Sequence, residues 1–339
     1  MKKIALIACY FGPFPLWFPF WMKTCAANPS LDFLIYTDQP EPENVPGNMS
    51  FRKTTLAAVR KLAAEKLDFP AEKLDFPALS LERPYKLCDY KPLYGLIFQD
   101  DLTAYDFWGH LDVDLFLGNL SRFVTDEMLE KYDKLYPLGH LSIYRNTEEC
   151  SRRFFLDGAK YDWRDVLSID KNFCFDEWPG IYAIYRQHQF SLYDKIDFAD
   201  VSWLSRRFSL RARSSAEYAR PAQDYPHQLF FWDRGELRRA YLNNGEVKYD
   251  DFLYLHFLRR RLYAMQGLSA KTADAFFITP SGLFPKAPGA EVSPEQIKKY
   301  NPYYGKLYEY IEMKIRRKLM KRKNHQTFAG REYRLSSQK

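Results

Sequence analysis

The sequence predicts an α/β protein: a mixed, mainly parallel sheet flanked by helices, with a basic amphipathic helix at the C-terminal end. Three observations carry this prediction. Residues Ile4–Cys9 (IALIAC) form a continuous apolar run, as expected of a central parallel strand covered on both faces. A helix-compatible stretch, 16–27, separates it from a second strand-like run at 33–38 (FLIYTD), and strand, helix, strand is the opening of an α/β sheet. Far downstream, Tyr308, Ile311, Ile315 and Leu319 recur at spacings of three and four. They share one face of a helix expected from about Tyr304 to Lys323, while Lys314, Arg316, Arg317, Lys318, Lys321, Arg322 and Lys323 crowd the rest.

The composition is that of a globular protein. Of 339 residues 46% are hydrophobic and 27% charged, which excludes wholesale disorder, collagen and coiled coil. Aromatic residues reach 17% and supply both core area and rings able to stack on sugars or bases. The net charge of +7 is unevenly placed. Residues Glu312–Lys339 hold ten Lys/Arg against two Glu, a local charge of +8, so residues 1–311 sum to −1. A nucleic-acid coat spreads positive charge over its folded face, so no nucleic-acid partner is expected. Five cysteines, an odd number with no CxxC pair, point to free thiols in a reducing compartment rather than disulfides or a zinc site.

The elements follow in order. Ile4–Met22 carries no charge over 19 residues, the length of a membrane span, but Gly12, Pro13, Pro15 and Pro19 would break a spanning helix. The stretch reads as strand, loop and helix, and the expected location is cytoplasmic. A Pro/Asn/Gly loop occupies 40–48. The heptapeptide AEKLDFP then occurs twice, at 64–70 and 71–77, too short a period for a solenoid, and reads as a local duplication in a surface connection. Residues 85–102 show mixed helical spacing. Residues 105–120 read as a strand carrying two acids and closing in a Gly118-Asn119 turn. A helix is expected within 121–135, a strand at 143–146, and an aromatic, largely helical or irregular stretch over 150–190. LFFWDRGELRRAYL (229–242) reads as a hairpin turning at Arg234-Gly235. DFLYLHFLRRR (251–261) starts as an apolar strand holding His256 and ends in Arg259, Arg260 and Arg261. Five prolines in 279–303 predict an extended linker before the terminal helix.

Asp112-Val113-Asp114 is the sharpest chemical feature. In extended backbone, residues two apart point to the same side, so both carboxylates face one way amid Leu111, Leu115, Phe116 and Leu117. Paired carboxylates in apolar surroundings call for a cation, and their hard oxygens suit Mg²⁺ or Mn²⁺. Such an ion can bridge a diphosphate and neutralise charge on it as it departs. His256 offers an imidazole to complete a metal site, and the arginines after it suit diphosphate oxygens.

The segment FWGHLDVDLFLGN resembles the metal-binding motif of GT-A nucleotide-sugar glycosyltransferases. Together with the opening IALIACYFG…FLIYTD, the segment RPYKLCDYKPLYGLIFQD and YLHFLRRR, it is similar to a bacterial GT-A-like family of capsule and O-antigen polysaccharide synthesis. The resemblance covers residues 1–120 and 250–262. It implies a GT-A-like, Rossmann-like catalytic domain over 1–278, with a nucleotide-sugar-binding half (1–120) and an acceptor half (121–278), followed by the linker 279–303 and the tail 304–339. It also implies that Asp112, Asp114 and His256 hold Mn²⁺ or Mg²⁺. A nucleotide-sugar donor, a UDP-sugar, would contact Tyr10, Phe11, Asp38, Asp89, Lys91, Asp112, Arg259 and Arg260. The strand-end positions Tyr10, Phe11 and Asp38 also follow from the general rule for open α/β sheets. No GxGxxG or Walker loop is present, so phosphate recognition would rest on metal and arginines.

Inverting transfer needs a carboxylate near the acceptor hydroxyl, and FCFDEWPGIY offers Asp176 and Glu177 in an aromatic setting, with Trp178 able to stack on a sugar. Asp224 and His227 are the second choice. The sequence leaves inversion and retention open. The basic tail suits an anionic inner-membrane surface, where lipid-linked acceptors reside. The expected activity is therefore metal-dependent transfer of a sugar to a glycan or lipid-linked acceptor by a peripheral membrane enzyme. The alternative is a catalytically inactive GT-A-like scaffold that binds glycan or partners.

Overall fold

A computed structural model describes residues 2–67, 78–202, 204–210, 223–257, 262, 265 and 267–328. The larger sheet begins with β1 (Ile4–Tyr10), helix α1 (Phe18–Ala26), β2 (Leu31–Thr37), β3 (Met49–Lys53) and α2 (Leu56–Lys66). It continues with β4 (Phe107–Leu111) and later receives β6 (Lys134–Leu135), β7 (Leu141–Arg145) and β8 (Leu192–Tyr193). The seven strands lie in the order β3-β2-β1-β4-β7-β6-β8. The first four are parallel, and β7 pairs antiparallel with both β4 and β6. Both faces of β1 are covered: Ile4, Leu6 and Ala8 join one core cluster, and Ala5 and Ile7 join the other. That two-sided burial is why IALIAC contains no polar residue.

The chain order reverses between β1 and β4. From β1 the sheet grows outward through β2 and β3, then returns to place β4 on the opposite flank. The connections that leave the carboxyl ends of β1 and β4 therefore run off in different directions at a topological switch point, where open α/β sheets form their ligand crevice.

A small sheet continues from β4. Strand β5 (Leu115–Leu117) pairs antiparallel with β13 (Tyr254–His256), which pairs parallel with β9 (Ala199–Asp200). The third sheet has five strands and is antiparallel throughout: β10 (Gln228–Asp233), β11 (Glu236–Asn243), β12 (Glu246–Asp251), β14 (Ala275–Thr279) and β15 (Gly282–Pro285). The β10–β11 hairpin turns at Arg234-Gly235, with φ of +49° and +93°, as a two-residue turn with both central residues at positive φ requires.

Several expectations need correction. Residues 279–303 are not an extended linker. They hold β15 and a helix, Pro294–Tyr300, started by a Ser293/Gln296 capping box and anchored by buried Val292 and Ile297. Three of the five prolines sit where proline is tolerated: Pro280 in a hairpin turn, Pro285 at a strand end and Pro294 in a first helical turn. The helix sought in 121–135 spans only Asp126–Lys131. The terminal helix starts at Lys306, because Gly305 before it sits at φ +101°. Residues 68–77, most of the tandem repeat, and Arg259–Arg261 lie outside the described residues. Among the described residues no helix is long and apolar enough to cross a membrane, and all five cysteines are free thiols.

Candidate active site

The cleft opens at the switch point. It measures about 440 Å³, and its walls include Tyr10, Phe11, Lys91, Asp112, Asp114, Asp176, Glu177 and His256. Sequence positions from five separate stretches thus meet in one depression.

Asp112 and Asp114 are not in a strand. They form the bend between β4, in the large sheet, and β5, in the small one. Chain direction changes there, so both carboxylates leave the apolar strands and stand half-buried at the cleft floor. The Asp112 amide is held by the His140 carbonyl at 2.9 Å, and the Asp114 carbonyl accepts from the Phe257 amide at 3.2 Å. The second bond belongs to the β5–β13 pairing, whose register sets His256 opposite Leu115. His256 Nε2 therefore lies 3.6 Å from Asp114 Oδ2. One ligand atom each from Asp112, Asp114 and His256 lies within 4.8 Å of the others. Burial alone would lower the His256 pKa, but the charges of Asp114 and Asp200 outweigh it and hold it up to about 10.

Lys91 ties the two carboxylate groups together. Its buried Nζ donates to Asp112 Oδ1 at 2.7 Å, the Gly139 carbonyl at 2.8 Å and Asp176 Oδ2 at 3.1 Å. Asp176 is buried behind it, and burial pushes its carboxyl up to about 7, with Glu177 and Asp112 adding to the rise and Lys91 opposing it. Burial likewise pushes Asp112 up, against Lys91. Glu177 is half-buried in the cleft wall, and Trp178 is exposed beside it. Three thiols also border the cleft, but burial pushes Cys9 up to about 12 and holds Cys88 well above its usual value, so neither is a ready nucleophile.

Not every expected residue reaches the cleft. Asp89 is wholly buried in the body of the protein. It pairs with Lys86 Nζ at 2.8 Å and accepts the Phe173 and Phe175 amides at 3.0 Å. It holds the backbone leading into Asp176 instead of facing a ligand. Asp38 is exposed beyond β2, where it accepts the Gly12 amide at 2.9 Å and steadies the turn after Tyr10 and Phe11. Asp224 pairs with Arg207 and accepts the Leu210 amide, and neither it nor His227 lines the cleft. Two residues escaped the sequence reading: His140 in the cleft wall and buried Asp200 beside His256. Each sits in a mostly apolar stretch, PLGHLSIY and DFADV, where an isolated histidine or acid carries little signal without its pairing partner.

The donor set fits a hard divalent cation: two carboxylates and one imidazole converge, half open to the cleft. The cleft gathers four carboxyl groups, Asp112, Asp114, Asp176 and Glu177, against Lys91 and His256, so its acids outnumber its cationic groups and a bound cation would favour an anionic diphosphate there.

The fold and cleft define an α/β protein with a carboxylate–histidine centre at a sheet switch point. The chain belongs to the family of unknown function DUF6625, whose model matches residues 6–287. No curated protein matches it. Among solved structures it is similar to the galactosyltransferase LgtC bound to donor and acceptor sugar analogs, at 9% identity over 59% of this chain and 75% of that one, TM-score 0.30. It is also similar to mouse xyloside xylosyltransferase 1 in its apo form, at 9% identity over 59% and 88%, TM-score 0.34. A third is a glycosyltransferase that acts in glycosylation of the major capsid of PBCV-1, at 7% over 58% and 84%, TM-score 0.32.

Proposed function

We propose that the protein is a metal-dependent, GT-A-like glycosyltransferase that moves a sugar from a nucleotide diphosphate donor, a UDP-sugar, to a glycan or lipid-linked acceptor in surface-polysaccharide synthesis. One observation carries the reading. The Asp112–Asp114 bend falls at the carboxyl end of β4, beside the chain reversal, and β13 delivers His256 to the same point from a distant part of the sequence.

In this reading Asp112, Asp114 and His256 hold Mn²⁺ or Mg²⁺. When bound, the cation supplies the charge that steadies a departing diphosphate. Tyr10 and Phe11, at the end of β1, border the nucleoside. Lys91 fixes the orientation of Asp112 while anchoring Asp176. Glu177 takes the proton from the acceptor hydroxyl, in an inverting transfer, and Trp178 offers a ring for the acceptor sugar to stack on. Arg259 and Arg260 lie three and four positions after His256 in sequence and are assigned to the diphosphate.

Calorimetry with UDP tests this directly. Binding is expected with Mn²⁺ and about tenfold or more weaker without it. A parallel assay of UDP-, GDP-, CMP- and dTDP-sugars is expected to show donor hydrolysis with UDP. Absence of any nucleotide binding would leave the glycan- or partner-binding scaffold. Metal-independent binding would remove the role given to Asp112 and Asp114.

The tail is assigned to an anionic membrane surface. Its helix turns Glu309 and Glu312 toward the body, where they pair with Arg207 and Arg206. Leu307, Ile311, Ile315 and Leu319 face outward instead, with Leu307 72% and Ile315 54% exposed. We assign this outward apolar stripe, with Lys314 and Lys318 on the same side, to an anionic lipid surface. Full-length protein should float with anionic liposomes, and a chain ending at residue 305 should not. Equal flotation of both would refute the assignment.

A further inference from the structure

The two ring nitrogens of His256 face different neighbours. In the parallel pairing of β9 with β13, His256 stands directly opposite Asp200, and Nδ1 lies 2.9 Å from Asp200 Oδ1. Nε2 points the other way, toward Asp114. The His140 ring lies against the His256 ring, with centroids 4.0 Å apart and planes 25° from parallel. His140 is itself tied down, its Nδ1 3.0 Å from the Tyr254 hydroxyl, one turn of the pleat before His256. His140, Asp200 and His256 are all buried.

We propose that Asp200 and His140 are positioning residues for the candidate cation site. Asp200 accepts a hydrogen bond from His256 Nδ1–H and so presents the Nε2 lone pair to the space shared with Asp112 and Asp114. His140 holds the plane of the ring. The proposal rests on reading Asp112, Asp114 and His256 as cation ligands. Its physical basis is general: a ligating imidazole has one nitrogen for the metal, and the hydrogen bond made by the other decides which nitrogen that is. A ring free to turn about its side-chain bonds would spend part of its time with the wrong nitrogen forward. A carboxylate at Nδ1 also raises the basicity of the ring, and removing such a partner costs about 10- to 100-fold in metal affinity.

His140, Asp200 and His256 also place one ligand atom each within 4.8 Å of one another, so they form a second possible donor set. The hydrogen-bonding distance from Nδ1 to Asp200 and the opening of Asp112 and Asp114 to the cleft favour one cation, on the Nε2 side. The inner carboxylate then serves the histidine and not an ion of its own.

The test is Mn²⁺ titration by calorimetry, together with electron spin-echo detection of a directly bound ¹⁴N nucleus, on the full chain. Wild type is expected to bind one equivalent with a nitrogen signature. Asp200→Leu is expected to bind about 10- to 100-fold more weakly and to lose that signature. Asp200→Asn is nearly isosteric, keeps an acceptor oxygen and folds even where leucine does not. It is expected to retain the nitrogen signature at an affinity reduced about threefold or more. An Asp200→Leu or Asp200→Asn variant equal to wild type in both readouts overturns the proposal. A second equivalent of Mn²⁺ that disappears in His140→Phe also overturns it, because the inner residues would then be a metal site in their own right. Failure of wild type to bind Mn²⁺ at all defeats the earlier reading of Asp112, Asp114 and His256, a result distinct from either.

Discussion

Asp114→Ala should reduce metal-dependent donor cleavage about a thousandfold, the rate equivalent of about 4 kcal/mol. Asp114 stands at the bend between two sheets, its carboxylate 3.6 Å from His256 Nε2 and open to the cleft. Alanine removes one of two oxygen donors and leaves a ligand set too small to hold a divalent cation against water. The fold should survive, because the side chain is half-exposed and the backbone bond from Phe257 to the residue 114 carbonyl is retained. Removal of one acid relieves repulsion with Asp112 but also takes away the main charge that holds buried His256 protonated, so the thermal midpoint of the metal-free protein should fall modestly and not rise. Steady-state kinetics and calorimetry with UDP and Mn²⁺ check this. A variant with wild-type turnover would eliminate the cation centre as the seat of the chemistry.

Glu177→Gln carries the second large effect. A positioned general base contributes about 10² to 10⁴ in rate, so kcat should fall by that factor with little change in donor KM. If a retaining course operates, hydrolysis and transfer would keep most of their rate in this variant, which would reassign Glu177. Its neighbour Asp176 gives a separate signature in stability. Its carboxyl is raised from the ordinary range to about 7 in the folded chain, by burial first and by Glu177 and Asp112 next. The folded state therefore keeps a proton that the unfolded chain has already released. On this account stability falls as pH climbs from about 4 to about 7, and the cost is constant above that. Urea unfolding across this range should show a flatter dependence for Asp176→Asn than for wild type. Parallel curves would mean that Lys91 keeps Asp176 ionised throughout.

The parts legible in the sequence were those fixed by local pattern. The two-sided burial of β1 shows in IALIAC, and the hairpin shows in Arg234-Gly235, because a strand between two cores and a positive-φ turn each restrict residue type directly. The acids of the bend were visible because carboxylates in an apolar run are costly. What the sequence hid depends on register and distance. Asp200 gains meaning only from standing opposite His256 in a pairing of two short strands. Asp89 and Lys91 belong to the same short segment, yet one is locked to the Phe173 and Phe175 amides while the other reaches the cleft. No spacing rule separates them, since the difference is set by which way each turn of a broken helix faces. The prolines of 279–303 misled for a related reason: proline marks the edges of elements as often as their absence.

On the proposed reading of Asp112, Asp114 and His256 as cation ligands, their placement on both sides of a sheet junction would fix the timing of ion uptake during biogenesis. A ribosome that has translated 200 residues has delivered both aspartates of the bend but not the imidazole, which arrives with β13. The centre is then unfinished while the first half of the nascent chain collapses. On that reading, ion capture would follow folding and not guide it. Because Asp114 and Asp200 already pair with His256, the metal-free chain has partners for its buried imidazole, and on the proposed reading metal starvation would leave a folded but inactive protein, not a misfolded one.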